Sequence, residues 1–229
     1  MRKLILASLV LGLTSPATSA DARQQRLSAN PSAIVAAELA FAQLARTKGQ
    51  WSAFLATSTK DAMMFVPQPT NAQRWLKKQA NPPQAVRWQP HEVWMSCDGS
   101  AAVSRGAWQR PGSTGYFITM WQRQKDGGYK WKMDQGDALT TPLREPEAIV
   151  AHVASCSGRP GPRGAAYRPE NPDEIWGESD DGTLRWNVIA PNGGGGRFTM
   201  VMSWDGTALR RVLEKAVSEP PASPTPSSG

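Results

Sequence analysis

Residues 115–137 read GYFITMWQRQKDGGYKWKMDQGD, and this stretch decides the fold class. Two runs rich in aromatic and β-branched residues flank a turn at 126–128, which is a strong signal for a β-hairpin. If Gln122 pairs with Trp131, the ladder continues away from the turn. The further pairs are then Met120 with Met133, Ile118 with Gln135, and Tyr116 with Asp137.

The two faces of this hairpin differ in polarity. One face is mostly apolar and carries Tyr116, Ile118, Met120 and Met133. The other face is largely polar and carries Thr119, Trp121, Arg123, Lys130, Lys132 and Asp134. A hairpin of this kind packs its apolar side on other elements, and we expect the polar side to form an outer sheet face.

The chain is long enough for one sizeable core with additional elements, because 40% of its 229 residues are hydrophobic. Of its ten tryptophans, seven lie between Trp51 and Trp131. This concentration predicts that the best-packed part of the protein lies in the first two thirds of the chain.

The N-terminus has the layout of a secretory signal peptide at residues 1–20. Basic residues at 2–3 precede an apolar run at 4–13, and small residues lead to Ala20, after which we expect cleavage. We therefore expect a periplasmic or secreted protein with a disordered segment at 21–29. The alternative is a membrane anchor, but the apolar run is about half as long as a spanning helix. No other stretch is long enough, so we expect no integral membrane span.

The formal net charge is +7, and loss of the signal peptide lowers it by two. A basic exported protein can meet nucleic acid, acidic wall polymers or anionic lipids. The cationic residues are spread along the sequence rather than clustered, so we expect a basic surface without a nucleic-acid partner.

Two cysteines, Cys97 and Cys156, are the whole complement of the chain. In an oxidising compartment this pair predicts one disulfide, although two free buried thiols also fit the count. The two histidines, His91 and His152, do not cluster with them in the sequence, so no ligand set for a metal is evident. We expect neither a metal site nor a cofactor.

Helical patterns come before strand patterns along the chain. Helices are predicted at 32–47 and 50–56, a short strand at 61–67, and a third helix after Asn71. Strands are predicted at 85–96 and 101–108, followed by the hairpin. Runs of helices followed by runs of strands indicate an α+β domain with the helices on one face of a curved antiparallel sheet.

The remainder of the chain divides into three parts. Residues 139–172 contain a predicted helix at 142–154 and a linker rich in glycine, proline and arginine. Alternating apolar residues at 173–217 predict a small antiparallel β appendage, and the tail at 218–229 is predicted to be disordered.

Several short motifs carry a resemblance to a known group: AELAFA at 37–42, AFLA at 53–56, DA at 61–62, TMW at 119–121 and GYKWKMDQG at 128–136. Residues 30–138 resemble the SnoaL-like and ketosteroid-isomerase-like domains of the nuclear transport factor 2-like superfamily, in particular its bacterial exported members of unknown function. The resemblance implies a cone, in which a bent sheet wraps over three helices around a pocket. It also implies homodimers that form through the outer sheet face.

An isomerase of this kind needs a carboxylate base and acidic hydrogen-bond donors. The resemblance points to Asp137 and Glu38 as acids and to Tyr116 as a hydroxyl donor. The predicted register places Tyr116 beside Asp137, where the two could equally form a satisfied hydrogen bond at the end of a sheet. Glu38 could be a buried acid or a helix glutamate that reaches solvent.

Four apolar side chains could line a pocket for an apolar small molecule: Phe65, Trp108, Met120 and Met133. Residues of these types at this spacing also form ordinary cores. The sequence shows no clear nucleophile and no metal set, so we favour a non-catalytic small-ligand-binding or protein-interaction module. The alternative is a small-molecule isomerase, dehydratase or hydrolase that uses a pocket carboxylate and a tyrosine.

Overall fold

The computed structural model describes residues 29–164, 169, 171, 173–191 and 196–218. The predicted signal peptide, the segment that follows it and the end of the predicted tail lie outside the described residues. No helix among the described residues is long and apolar enough to cross a membrane.

Three helices occupy the start of the described chain: α1 (Pro31–Lys48), α2 (Gln50–Thr57) and α3 (Ala72–Leu76). Helix α1 begins at a proline and ends at Gly49, which has a φ of 96° and therefore suits a residue without a side chain. Asn71 caps α3, since its side-chain oxygen accepts a hydrogen bond from the Arg74 N–H at 2.9 Å. The three predicted helices are confirmed.

Seven strands form the larger sheet in the order β2-β1-β6-β5-β4-β3-β7. Their bounds are β1 (Ser58–Phe65), β2 (Pro69–Asn71), β3 (Arg87–Met95), β4 (Ala101–Arg110), β5 (Ser113–Arg123), β6 (Tyr129–Leu139) and β7 (Val150–Val153). Strands β3 to β6 form an antiparallel meander, whereas β1 pairs parallel to β6 and β7 pairs parallel to β3. The α+β class predicted from the sequence is confirmed.

Four strands form the C-terminal sheet in the order β11-β10-β9-β8. Their bounds are β8 (Glu174–Glu178), β9 (Leu184–Ile189), β10 (Arg197–Trp204) and β11 (Leu209–Val217). All three pairings in this sheet are antiparallel, in agreement with the β appendage predicted from alternation.

The register of the β5–β6 hairpin agrees with the prediction away from its turn. Met120 pairs with Met133, and the predicted pairs further from the turn are also present. A β-bulge after Met120 shifts the register near the turn, so Trp121 rather than Gln122 pairs with Trp131. One extra residue on β6 therefore separates the predicted and observed pairings there.

Both faces of the meander are buried, which the sequence-based interpretation of a polar face did not anticipate. The face with Trp121 and Trp131 packs against the helices, in a core that also contains Phe41. The face with Ile118 and Met120 packs against the C-terminal sheet. The apolar face is thus the outer face of the cone, and the C-terminal sheet covers it.

This packing corrects the surface that the resemblance implies for a homodimer, while homodimerisation itself stays a prediction. The surface that such a dimer would use is occupied within the same chain by Leu184, Trp186, Val188, Val201 and Leu213. A second chain cannot reach that face while the C-terminal sheet lies on it.

The predicted helix at 142–154 is wrong. Residues 142–149 are not helical, and β7 follows them as an edge strand beside β3. Pro146 would remove a hydrogen bond from the interior of such a helix, and the β-branched residues Ile149, Val150 and Val153 favour a strand.

A disulfide joins Cys97 to Cys156, as the cysteine count predicts. Cys97 follows β3 by two residues and Cys156 follows β7 by three, so the bond fastens the edge of the larger sheet. The sequence separation of 59 residues means that the bond restricts a long loop of the unfolded chain.

We predict that the double variant Cys97→Ser/Cys156→Ser unfolds with a free energy lower by about 2–4 kcal/mol, because its unfolded chain is less restricted. Urea denaturation with and without a thiol reductant measures this difference. The reductant should destabilise the wild type and leave the double variant unchanged. An unaltered wild type under reduction would contradict the prediction.

Candidate functional site

A cavity of about 380 Å³ lies between the helices and the inner face of the sheet. Its walls are largely aromatic, with contributions from Phe41, Trp51, Phe54, Trp88, Trp108 and Phe117. Helices α1 and α2 and strands β3 to β5 each supply part of this wall. The wall is therefore suited to a small apolar or aromatic molecule.

Glu38 is a fully buried acid on the inner side of α1. Its carboxylate accepts hydrogen bonds from the Ser104 hydroxyl at 2.5 Å and from the Trp88 indole N–H at 3.1 Å. Ser104 in turn accepts a bond from the Trp121 indole at 2.8 Å. Three strands and one helix thus meet at one carboxylate.

Asp134 is a second acid on the inner face, and it lines the cavity directly. Its carboxylate accepts a hydrogen bond from the Thr119 hydroxyl at 2.7 Å. The Thr119 hydroxyl also lowers the pKa of Glu38, so it is close to both acids. Glu38 is fully buried and does not line the cavity. Asp134 does line it, so of these two acids it is the one that a bound molecule can reach.

Burial raises the pKa of Glu38 to about 7, although the hydrogen bonds from Ser104 and Trp88 oppose this effect. Burial likewise raises the pKa of Asp134 to about 7, and the nearby charge of Glu38 adds to the increase. Each acid therefore changes its protonation near neutral pH, where an acid can give or take a proton readily.

The structure does not bring the three predicted catalytic residues together. Glu38 lies on the inner side of the sheet, while Tyr116 packs in the core between the two sheets. The Tyr116 hydroxyl is buried and has no hydrogen-bond partner among the described residues. Asp137 pairs with Tyr116 in the ladder, but it lies at the edge of the cavity and its carboxylate accepts the N–H of Ala138. The predicted hydrogen bond between Tyr116 and Asp137 is therefore absent.

The predicted ligand-binding residues divide into two pairs. Phe65 and Trp108 line the cavity. Met120 and Met133 instead lie in the core between the larger sheet and the C-terminal sheet, so they cannot contact a molecule in the cavity. The alternation along the hairpin separates the two pairs, because neighbouring residues of a strand point to opposite faces.

The sequence-based reasoning missed Asp134, Thr119 and Ser104. Asp134 and Thr119 belong to the hairpin face that was interpreted as polar and outer, and that face is in fact the inner one. The signal for this placement is Trp121, which shares the face with Thr119 and is too large and apolar for an open surface.

No group of metal-ligating side chains occurs in the ranges that the structure describes. The other polar residues of the cavity wall include Gln50, Thr119, Arg110 and Asp137. The Gln135 amide points to the opposite face of the sheet, where it bonds to Thr199 and Arg197. The position of Asp134 suits a hydrogen bond with a bound molecule and proton transfer to or from it.

We predict that Glu38→Gln flattens the dependence of stability on pH. The pKa of Glu38 is about 7 in the folded protein against about 4.5 when unfolded, so the free energy of unfolding falls as pH rises between these values. In the variant this slope should be smaller by up to about 1.4 kcal/mol per pH unit. Urea denaturation from about pH 4.5 to pH 8 measures it.

The control is Glu147→Gln, which alters an exposed glutamate before β7 and should keep the slope of the wild type. An unchanged slope in Glu38→Gln would show that Glu38 does not hold a proton in the folded protein.

No protein-family model and no curated protein matches the chain. Solved structures are similar to about half of it. A predicted ketosteroid isomerase from Parabacteroides distasonis is 15% identical over 51% of this chain and 98% of its own, with a TM-score of 0.39. ActVI-ORFA from Streptomyces coelicolor is 13% identical over 48% of this chain and 97% of its own, with a TM-score of 0.37. An NTF2-like protein of unknown function from Burkholderia xenovorans is 15% identical over 51% of this chain and 89% of its own, with a TM-score of 0.33.

The architecture of the chain itself has the parts that its sequence motifs imply, namely three helices over the inner face of a sheet that contains the β3–β6 meander. This arrangement agrees with the α+β cone that the resemblance implies for residues 30–138, and the C-terminal sheet lies on the outer face of the larger sheet.

Proposed function

We propose that the cone binds a small, mainly aromatic molecule that carries a hydrogen-bonding group, and that it does so as an exported protein. The observation that carries the proposal is Asp134, an acid of raised pKa that opens into an aromatic cavity. The aromatic wall would hold the body of the molecule, and Asp134 would fix its polar group.

The size of the cavity supports a small ligand. About 380 Å³ is at the lower end of the range of small-molecule sites, so the ligand would have one or two fused rings rather than a long chain. Arg110 lies beside Trp108 at the exposed end of β4, with its guanidinium 5.9 Å from the ring centre. Arg110 therefore places a charged group at the edge of the cavity, beside the aromatic wall.

The polarity of the inner end supports a ligand with a hydroxyl or a similar group. Thr119 donates to one oxygen of Asp134, which leaves further acceptor positions on the carboxylate for a bound molecule. Bonds to an ionised carboxylate are stronger than bonds between neutral groups. The ligand would therefore bind more tightly once Asp134 has lost its proton.

Export is supported by the signal-like N-terminus and by the disulfide between Cys97 and Cys156. Such bonds persist in oxidising compartments and are rare in the bacterial cytosol. The aromatic cavity would then meet small molecules that are present outside the cytoplasm.

A second candidate is acid–base catalysis on a small carbonyl compound, such as isomerisation or dehydration. The observation that favours it is the pair of acids with pKa values of about 7, since a base or acid works best near its own pKa. Asp134 would move the proton, and Tyr116 takes no part because it lies on the other face of the sheet.

We predict that 1-naphthol binds to the wild type more tightly at about pH 8 than at about pH 6, because ionised Asp134 accepts its hydroxyl. Asp134→Asn should weaken binding about tenfold at the higher pH and remove the pH dependence. Quenching of tryptophan fluorescence measures the affinity. Naphthalene should bind the wild type and the variant alike.

The matched control is Asp61→Asn, which alters an exposed aspartate paired with Lys132 outside the cavity and should bind like the wild type. If 1-naphthol and naphthalene both fail to bind, or if Asp134→Asn binds 1-naphthol as the wild type does, the proposed site is wrong.

The catalytic candidate predicts that the wild type exchanges the α-protons of a cyclic ketone such as cyclohexenone with deuterium from D₂O. Asp134→Asn should slow this exchange by about a hundredfold or more, as expected for loss of a general base. Proton NMR measures the rate, with Asp61→Asn again as the control. Exchange at the uncatalysed rate in the wild type would leave binding as the function.

A further inference from the structure

Two tight turns in different sheets have the same sequence pattern and the same hydrogen bonds. The β3–β4 turn reads SCDGS at 96–100, and the β8–β9 turn reads SDDGT at 179–183. In each turn the aspartate carboxylate accepts bonds from the first serine and from the hydroxyl and N–H of the last residue. The glycine of each turn has a positive φ.

The strands on either side of these turns pair in the same register. Met95 pairs with Ala102, and 83 residues further along the chain Glu178 pairs with Arg185. The next strand pair repeats the agreement. Ala101 pairs with Gln122 and Leu184 pairs with Ser203, so β10 follows β5 at a distance of 81 residues.

The two sheets also share a defect in the same place. The β5–β6 ladder contains a β-bulge between Met120 and Trp121, and the β10–β11 ladder contains one between Val201 and Met202. Met120 and Val201 are 81 residues apart in the sequence, which is the same offset that relates β5 to β10 in the pairings with β4 and β9. A bulge is a local feature that a generic antiparallel sheet has no reason to repeat at an equivalent residue.

We infer that the C-terminal sheet is a second, helix-free copy of the β3–β6 meander and that it serves as the partner of the cone within one chain. Strands β8 to β11 correspond in order to β3 to β6, and they pair with one another in the same order. The chain therefore carries its own half of a sheet-to-sheet interface.

The two copies pack through equivalent faces. The core between the sheets contains corresponding residues from both copies: Ala101 and Leu184, Val103 and Trp186, Met120 and Val201, Met133 and Leu213. An interface in which the same patch of both partners is used is the mark of twofold symmetry in homodimers. Here the two patches belong to one polypeptide.

Two of the hydrogen bonds between the two turns are reciprocal, whereas a third, from the Asp98 N–H to the Asp181 carboxylate at 3.1 Å, has no counterpart among the described residues. The Cys97 N–H donates to the Thr183 hydroxyl at 3.0 Å, and the Asp180 N–H donates to the Ser100 hydroxyl at 2.8 Å. Cys97 corresponds to Asp180, and Ser100 corresponds to Thr183. Exchanging the two copies therefore converts one of these two bonds into the other. Both hydroxyls are buried at this contact.

The second copy manages without helices because its other face has a different cover. Arg185 forms an ion pair with Glu178 and donates to the carbonyl oxygen of Gly161 in the linker. Arg163 of the same linker lies over the ring of Trp176. Arg185 and Trp176 correspond to Ala102 and Val93, which face the helices in the first copy, so the linker lies on the equivalent face of the second copy.

The surface between the sheets is thus an interaction surface whose partner is the second copy in the same chain, and the full-length protein is a monomer. Sedimentation velocity on the full chain from about 1 to 100 µM tests this, because a homodimer would respond to protomer concentration. The mass of one chain throughout supports the inference. A dimer overturns it.

A second experiment tests the reciprocal contact in the full chain. Ser100→Ala and Thr183→Ala should each lower the melting temperature by about 3–6 °C, and by similar amounts, since each removes the same bonds inside its turn and one bond between the copies. Thr207→Ala is the matched control. Its hydroxyl makes the same bond to the aspartate of a third such turn, at Asp205, but it is exposed.

Thr207→Ala should shift the melting temperature by about 1 °C or less. If the two interface variants shift it no more than this control, or if one shifts it strongly and the other does not, the symmetric contact between the copies is wrong.

Discussion

Both faces of the β5–β6 hairpin are buried, and the rest of the structure depends on covering each of them. The inner face presents Trp121 and Trp131 to the helices, and the outer face presents Ile118 and Met120 to the C-terminal sheet. A sheet that buries two faces needs a layer on each side, because exposed apolar surface of this size would associate with other molecules. The layers of this fold follow from that requirement.

The inner layer is more than a hydrophobic core. Glu38 joins α1 to β3 and β4 through Trp88 and Ser104, and Ser104 extends the network to Trp121 on β5. A buried carboxyl group with a raised pKa lowers stability at neutral pH, so this network is not the most stable way to fill the space. Its neighbour Asp134 faces the cavity, where the same chemistry can act on a bound molecule.

Local signals in the sequence were enough for the helices, the turn at 126–128 and the pairing of Met120 with Met133, because these depend on neighbouring residues. Which face of the hairpin meets the helices depends on segments that are distant in the sequence. The apolar face could pack against the helices or against the C-terminal sheet. In the structure the C-terminal sheet packs on that face. Asp134 therefore lies on the inner face with the cavity, and Tyr116 lies on the outer face. Only the three-dimensional contacts contain this information.

A partner within the same chain explains why the outer face can be so apolar. In a homodimer the covered area depends on protein concentration, whereas a linked copy covers it at every concentration. A face held in place by its own chain keeps the opposite face of the same strands in position. Thr119 and Asp134 lie on strands β5 and β6, whose other sides are fixed by the second copy, so the geometry of the cavity depends on the sheet that lies behind it.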